Sequence, residues 1–195
     1  GDWDLTFGDH LRGQAKLTRE DGDVIIATDD VFDSNAPASK IAMGMQTARL
    51  ELQAVGNRAT AALQLSGLRL GEVTANLGAQ LGADTAASRL LPWRGALNVR
   101  TPDLAWASVL VGDGIKIGGR LEGGITLSGT PASPSVDGQF TGSGLALSTR
   151  QQGINLRDGH LQLDLKDDRL FVRQLKFQSP HQAPPAALSN LAPRR

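Results

Sequence analysis

The residues best suited to chemistry in this chain are three pairs of neighbouring carboxylates: Asp21/Asp23, Asp29/Asp30 and Asp167/Asp168. Paired carboxylates can share a proton for acid–base work or ligate Ca²⁺. Each pair sits in a stretch that reads as a turn, where Asp is favoured because its side chain bonds the local backbone. The run from Asp21 to Asp30 also fails the spacing of a helix–loop–helix calcium site. His10, His160 and His181 are far apart, and none has a metal-ligating partner four residues on. His160 follows Asp158-Gly159 and alternates with Leu161, which turns it to solvent. Gly112-Asp113-Gly114 and Gly142-Ser143-Gly144 are glycine-rich, but neither has the G-x-G-x-x-G spacing nor a following helix that would cradle phosphate. They read as turns or bulges. Cysteine is absent, which removes disulfides, thiolate-bound zinc and a thiol nucleophile. No G-x-S-x-G elbow is present. No residue earns a catalytic, metal or cofactor role, and the chain reads as a non-enzyme.

The elements that would have to position any such residue are strands. Alternation of apolar and polar residues dominates nearly everywhere. Trp3, Leu5 and Phe7 alternate with Asp4 and Thr6; Ala15 and Leu17 follow. Asp21-Gly22-Asp23 turns the chain into a short strand at Val24–Ala27, and residues 29–45 read as an irregular loop. Residues 49–81 read as three consecutive antiparallel strands with tight turns at Gly56-Asn57 and Ser66-Gly67. Residues 83–92 form a connector with a helical turn. Leu97 and Val99 restart the sheet, and Asp103 caps one short helix near 103–110. Beyond it, glycines near 95, 119, 138 and 159 recur about every 20 residues, a period that suits stacked hairpins. Asp158-Gly159 reads as a hairpin turn. The apolar parity switches between Val172 and Leu175, which predicts a bulge.

Composition narrows the function classes. The 195 residues carry 20 Lys+Arg against 20 Asp+Glu; nucleic-acid binders need a basic excess, so nucleic acid is not an expected partner. Aromatics are 4 % and glycines number 23. No apolar run approaches the roughly 18 residues of a membrane span. The chain starts in strand alternation without a signal peptide, so it reads as a fragment of a longer protein. Residues 1–178 are expected to form the β segment, and the Pro-rich stretch 179–195 a flexible tail.

A sheet of alternating strands has one apolar face, which has to be covered. No long amphipathic helix is available. A second sheet, closure into a barrel, or lipid remain. The expected fold is all-β: an elongated, curved, U-shaped antiparallel sheet of repeated hairpins, with a hydrophobic groove. Its expected lining is Leu50, Leu52, Ala61, Leu63, Leu65, Val73, Ala75, Leu77, Leu81, Leu97, Val99, Leu121, Ile125, Leu127, Phe140, Leu145, Leu147, Leu161, Leu163, Leu165, Leu170 and Val172. Small and aliphatic side chains leave room for acyl chains, each buried methylene contributing about 0.8 kcal/mol. The alternative is a closed, self-filled β-solenoid or sandwich, as in a structural or adhesive passenger protein. Trp3, Trp93 and Trp106 either cap the groove, meet headgroups or pack at strand ends.

A resemblance adds to this. The phrase Gly119-Arg120-Leu121-Glu122-Gly123-Gly124-Ile125-Thr126-Leu127-Ser128-Gly129-Thr130-Pro131 resembles a recurring one of the TamB family. So do Val136-Asp137-Gly138, Gly144-Leu145-Ala146-Leu147, Gln152 to Gly159 and Asp168-Arg169-Leu170 with Leu175 and Phe177. Upstream, Asp103-Leu104-Ala105-Trp106 is similar too. The likeness covers residues 95–180; residues 1–90 share its style only. It implies an AsmA-like protein of the Gram-negative periplasm, anchored in the inner membrane. Its apolar groove would carry phospholipid to the outer membrane and support assembly of outer-membrane proteins such as autotransporters. The implied partners are phospholipid acyl chains, a TamA-type outer-membrane barrel met through the full-length protein, and unfolded outer-membrane protein strands. This chain lacks the anchor and a barrel-docking terminal strand, so it reads as an interior piece.

Overall fold

A computed structural model of the chain describes residues 1–6, 12–28, 39–82, 84–111, 114–149, 152–167 and 169–179. Alternation becomes sheet. The strands are β1 (Asp2–Thr6), β2 (Arg12–Thr18), β3 (Ile25–Thr28), β4 (Ser39–Ala42), β5 (Met45–Val55), β6 (Arg58–Gly67), β7 (Gly71–Gln80) and β8 (Trp93–Thr101). Four more follow: β9 (Ile115–Thr130), β10 (Ser133–Thr149), β11 (Asn155–Lys166) and β12 (Arg169–Gln178). Helical turns α1 (Thr85–Ser88) and α2 (Ser108–Val111) are one turn each, α2 being preceded by a 3-10 turn at Leu104–Ala107. Asp103 caps that 3-10 turn, its carboxylate accepting from Ala105 N at 3.0 Å.

Ten strands make one open antiparallel sheet in the order β1-β2-β5-β6-β7-β8-β9-β10-β11-β12, and β3 pairs with β4 apart from it. The three-strand meander expected over residues 49–81 is β5–β7. The loop expected over residues 29–45 contains β4, which pairs with β3; its sequence SKIA has one large apolar residue and so shows no alternation. Residues 29–38 lie outside the described set.

Two expectations about turns are corrected. Asp158-Gly159 is not a hairpin turn but lies inside β11, with Asp158 at φ 50°. It makes a bulge, and pairing shifts there both against β10 and against β12. Asp-Gly supplies a left-handed residue wherever one is needed, in a turn or in a bulge, so the dipeptide alone does not choose. Likewise the glycines near 95, 119, 138 and 159 sit within strands and do not lead hairpins. The predicted break near Val172 is present: the β11–β12 register shifts between Gln162 and Leu163. Gly142-Ser143-Gly144 lies in β10 at another shift, with Gly144 at φ 57°.

The most buried side chains gather at one end of the sheet. Met43, Met45, Thr101 and Leu145 are buried there, and Ala54 at the other end. Asp23 holds the β3–β4 hairpin to this end: its carboxylate accepts from Val24 N (2.8 Å), Gly44 N (3.0 Å) and Met45 N (2.8 Å). The β6–β7 turn joins through Leu68 N to Gly44 O (3.0 Å) and Arg69 N to Met43 O (3.1 Å). Thr101 Oγ1 donates to Leu70 O at 3.0 Å. Where β8 stops, β9 runs on, and the Ser108 hydroxyl accepts from Ile117 N (2.7 Å) in place of a strand neighbour. α2 also touches β3 and β4, so the hairpin and the helical turns together close this end.

Candidate functional site

Cross-strand register fixes which side chains share a face, because directly paired residues point the same way. One row runs Leu17, Leu50, Leu63, Ala75, Leu97, Ile125, Gly138, Leu165, Leu170, across nine strands without a polar residue. Beside it lie Ala15, Leu52, Ala61, Leu77, Gly95, Leu127 and Val136. On its other side lie Ala48, Leu65, Val73, Val99, Gly123, Phe140, Leu163 and Val172. Leu121 and Leu161 flank Gly142 in the next row. Leu145 pairs with Gly159, and Leu147 with Ile117 and Leu156, beyond the β10 bulge. Leu81 lies just past β7, its N–H on Asn57 O at 2.7 Å. The structure thus brings the expected lining residues onto one face, with Leu81 at its margin.

That face has no facing sheet among the described residues, and no large side chain there is fully buried. Leu63, Leu77, Leu97, Ile125, Leu127 and Leu163 are half-buried; Leu52, Leu170 and Val172 are exposed. The partial shelter comes from the face itself. Large side chains lie down over glycines of their own or the neighbouring strand. A Cβ on Gly123 would stand 2.5 Å from Phe140 Cδ1, and one on Gly142 2.8 Å from Leu145 Cδ1. Phe177 and Leu145 occupy the space over Gly159 in the same way. An aromatic ring over a strand glycine covers backbone that would otherwise be bare. The outcome is a thin apolar layer. At about 4.8 Å between strands, a nine-strand row is roughly 38 Å long.

The opposite face is polar and holds a feature the sequence did not suggest. A hollow of about 1210 Å³ opens over β7–β12, bordered by Glu72, Asn98, Arg100, Glu122, Gln139 and Arg173. Arg100 and Glu122 pair across strands at 3.5 Å, both well exposed. Arg173 Nε bonds Asp164 Oδ2 at 2.7 Å and its guanidinium lies 5.6 Å from the Phe171 ring centre. Phe171 is the one sequence signal of this hollow: it puts an aromatic on the wet side of β12, between Leu170 and Val172.

The residues weighed for chemistry fall as follows. Asp23 is spent on backbone N–H groups, foremost that of Met45, and these bonds with the Arg19 charge hold its pKa below the ordinary carboxylate value. Asp21 is exposed. Asp29, Asp30, Asp113 and Asp168 lie outside the described residues, as do His10 and His181. His160 is exposed, between Ser143 and Lys176 on the polar face. On the same face Arg49 bonds Glu51 and, with Lys16, lowers its pKa. Trp3 is 77 % exposed, whereas Trp93 Nε1 donates to Ser128 O at 3.2 Å. Trp106 Nε1 is buried and finds no acceptor among the described residues.

No protein-family model matches this chain, and neither the curated proteins nor the solved structures contain a match to it.

Proposed function

We propose that this chain is a segment of a TamB-like protein of the Gram-negative periplasm, and that its apolar face carries phospholipid acyl chains. The reading is supported above all by the nine-strand apolar row with no facing sheet among the described residues. Large contiguous apolar surfaces on a folded chain mark a partner or a lipid. One leaflet's hydrocarbon is about 15 Å deep, half of a ~30 Å bilayer core, so the strip is longer than a single acyl chain. A chain lying over Ala61 and Ala75 is flanked by Leu63, Leu77 and Leu97. Each methylene removed from water contributes about 0.8 kcal/mol. The headgroup stays at the margin in water. A wall without polar groups selects apolar length over chemical identity. Similar neighbouring rows let a lipid shift by one strand with little change in contact, which suits transport better than storage.

In the parent protein such a face would lead towards the outer membrane, where a TamA-type barrel and unfolded outer-membrane protein strands are its proposed partners. An unfolded strand alternating apolar and polar residues would use the same rows.

Incubation with phosphatidylcholine vesicles, re-isolation and lipid extraction tests the reading. The chain should retain phospholipid. A charge at Leu63, Leu77, Leu127 or Leu163 should remove most of it while the β-sheet circular dichroism is kept, because a carboxylate in the strip would be desolvated by the acyl chain. Lipid-free wild-type protein, or folded variants that retain lipid fully, would overturn it.

A further inference from the structure

Lipid on the apolar face gives no work to the hollow on the polar one. That hollow holds about 1210 Å³ and lies over β7–β12. One row of paired residues crosses it: Thr74, Asn98, Gly124, Gln139, Asp164 and Phe171. Gly124 leaves a gap in the row, and the Asn98 amide lies over it; a Cβ there would stand 2.6 Å from Asn98 Oδ1. Asn98, Arg100, Glu122 and Gln139 are exposed to the hollow. Its charges nearly cancel. Glu72, Glu122, Asp137 and Asp164 stand against Arg100, Lys166 and Arg173, four to three. Arg100 already pairs with Glu122, and Arg173 with Asp164. A highly charged polymer therefore meets no strong field of one sign. Amides, carboxylates and guanidinium groups side by side offer donors and acceptors together, which is what neighbouring sugar hydroxyls require. Phe171 completes the set: it is an aromatic ring on a wet face, 41 % exposed, with the Arg173 guanidinium 5.6 Å from its centre. The negative face of an aromatic ring attracts weakly positive C–H groups, and one side of a sugar ring is made of these.

We infer that this hollow binds an uncharged, extended β-linked oligosaccharide of the cellulose and chitin type, laid across the strands. The ladder sets the match. Neighbouring strands are about 4.8 Å apart, close to the advance per ring of such a chain, so each strand of the row meets one sugar. Six strands span roughly 24 Å, about five rings. A helical α-linked chain of the amylose type does not keep this period. The volume exceeds the roughly 300–1,000 Å³ of a pocket for one small molecule, as a chain of sugars needs. Asn98 and Gln139 bond hydroxyls from the floor, Arg100 and Glu122 bond them from the side, and Phe171 stacks on a ring at one end. Strand faces of small barrels hold oligosaccharides in a comparable way. A further strand beside β12 would extend this face, not cover it. The inference does not rest on the lipid reading, because the two ligands occupy opposite faces.

Titration of the isotope-labelled full chain with chitohexaose, cellohexaose and maltohexaose, followed by NMR, tests it. Chitohexaose or cellohexaose should shift the backbone amides of Asn98, Gly124, Gln139 and Asp164 saturably, with a Kd of about 1 mM or tighter. The stronger of the two tells whether acetamido or plain hydroxyl sugars are preferred. Maltohexaose should bind about tenfold more weakly or not at all. Asn98→Ala, Gln139→Ala and Phe171→Ala should each weaken binding about tenfold, the loss of one or two contacts, with the circular dichroism kept. Phe171→Trp should retain binding, which separates a lost stacking surface from a lost fold. Gln64→Ala, on the same face but outside the hollow, should bind as wild type does. No shifts with either β-linked probe, equal binding of maltohexaose, or full binding by the three alanine variants would overturn the proposal.

Discussion

The closed end of the sheet and its middle are built from the same alternation, yet they end in different states. At the closed end Met43, Met45 and Thr101 are buried where the β3–β4 hairpin, the β6–β7 turn and the helical turns around Ser108 meet. In the middle, Leu63, Leu97, Ile125 and Leu163 occupy equivalent positions and are only half-buried. The lesson is that alternation decides which face a side chain joins, while burial depends on what the rest of the chain lays over it. Loops and caps cover one end of this sheet. The middle has only its own side chains, with Phe140 folded down over Gly123 and Ile125 over Gly138.

Truncation should separate the two regions most strongly. Met45→Ala should cost about 2–5 kcal/mol in urea unfolding, the range for a buried methionine. Leu63→Ala should cost about 1–1.5 kcal/mol, half of a full transfer. Equal losses would break the comparison, since the middle would then be covered as well. Next in size is the packing over glycine. Gly142→Ala should destabilise by about 1–3 kcal/mol through its clash with Leu145, and Leu145→Ala should relieve part of that cost in a double-mutant cycle. A third, smaller effect concerns pH. Asp23 has a lowered pKa in the fold, so its carboxylate contributes stability above the ordinary Asp value of about 3.9. That contribution is lost as the pH falls below this value and through the lower folded-state pKa. Amide protection at Gly44 and Met45 should drop in that window, and Asp23→Asn should abolish the pH dependence. The smallest effect is expected at Glu51, whose lowered pKa has the same sign but comes from exposed Arg49 and Lys16; salt should erase it.

Much of the sheet was legible in the sequence for a simple reason: one face is apolar, and a one-residue slip would invert it. The pattern at Leu50, Leu52, Ala61, Leu63 and Leu65 therefore fixed both strand and register. The Val172–Leu175 parity change announced its bulge on the same grounds. What stayed hidden depends on long-range pairing. β4 is four residues long and exists because β3 is beside it. Asp158-Gly159 suits a bulge and a hairpin equally. The three backbone bonds of Asp23 span 21 and 22 residues in two of their three cases, a reach no turn rule encodes. The polar hollow was hidden because Glu72, Asn98 and Gln139 alternate as solvated residues do; only the sheet's shape gathers them.

The central claim is that acyl chains lie on one face of the sheet and not on the other. Leu97 and Asn98 are neighbours in β8 that belong to opposite faces. A nitroxide placed at each in turn, read by electron paramagnetic resonance with and without phosphatidylcholine, compares the faces directly. At position 97 the label should lose accessibility to a water-soluble relaxation agent when lipid is added, and at position 98 it should not change. Equal responses at the two positions, or none at 97, would contradict the account.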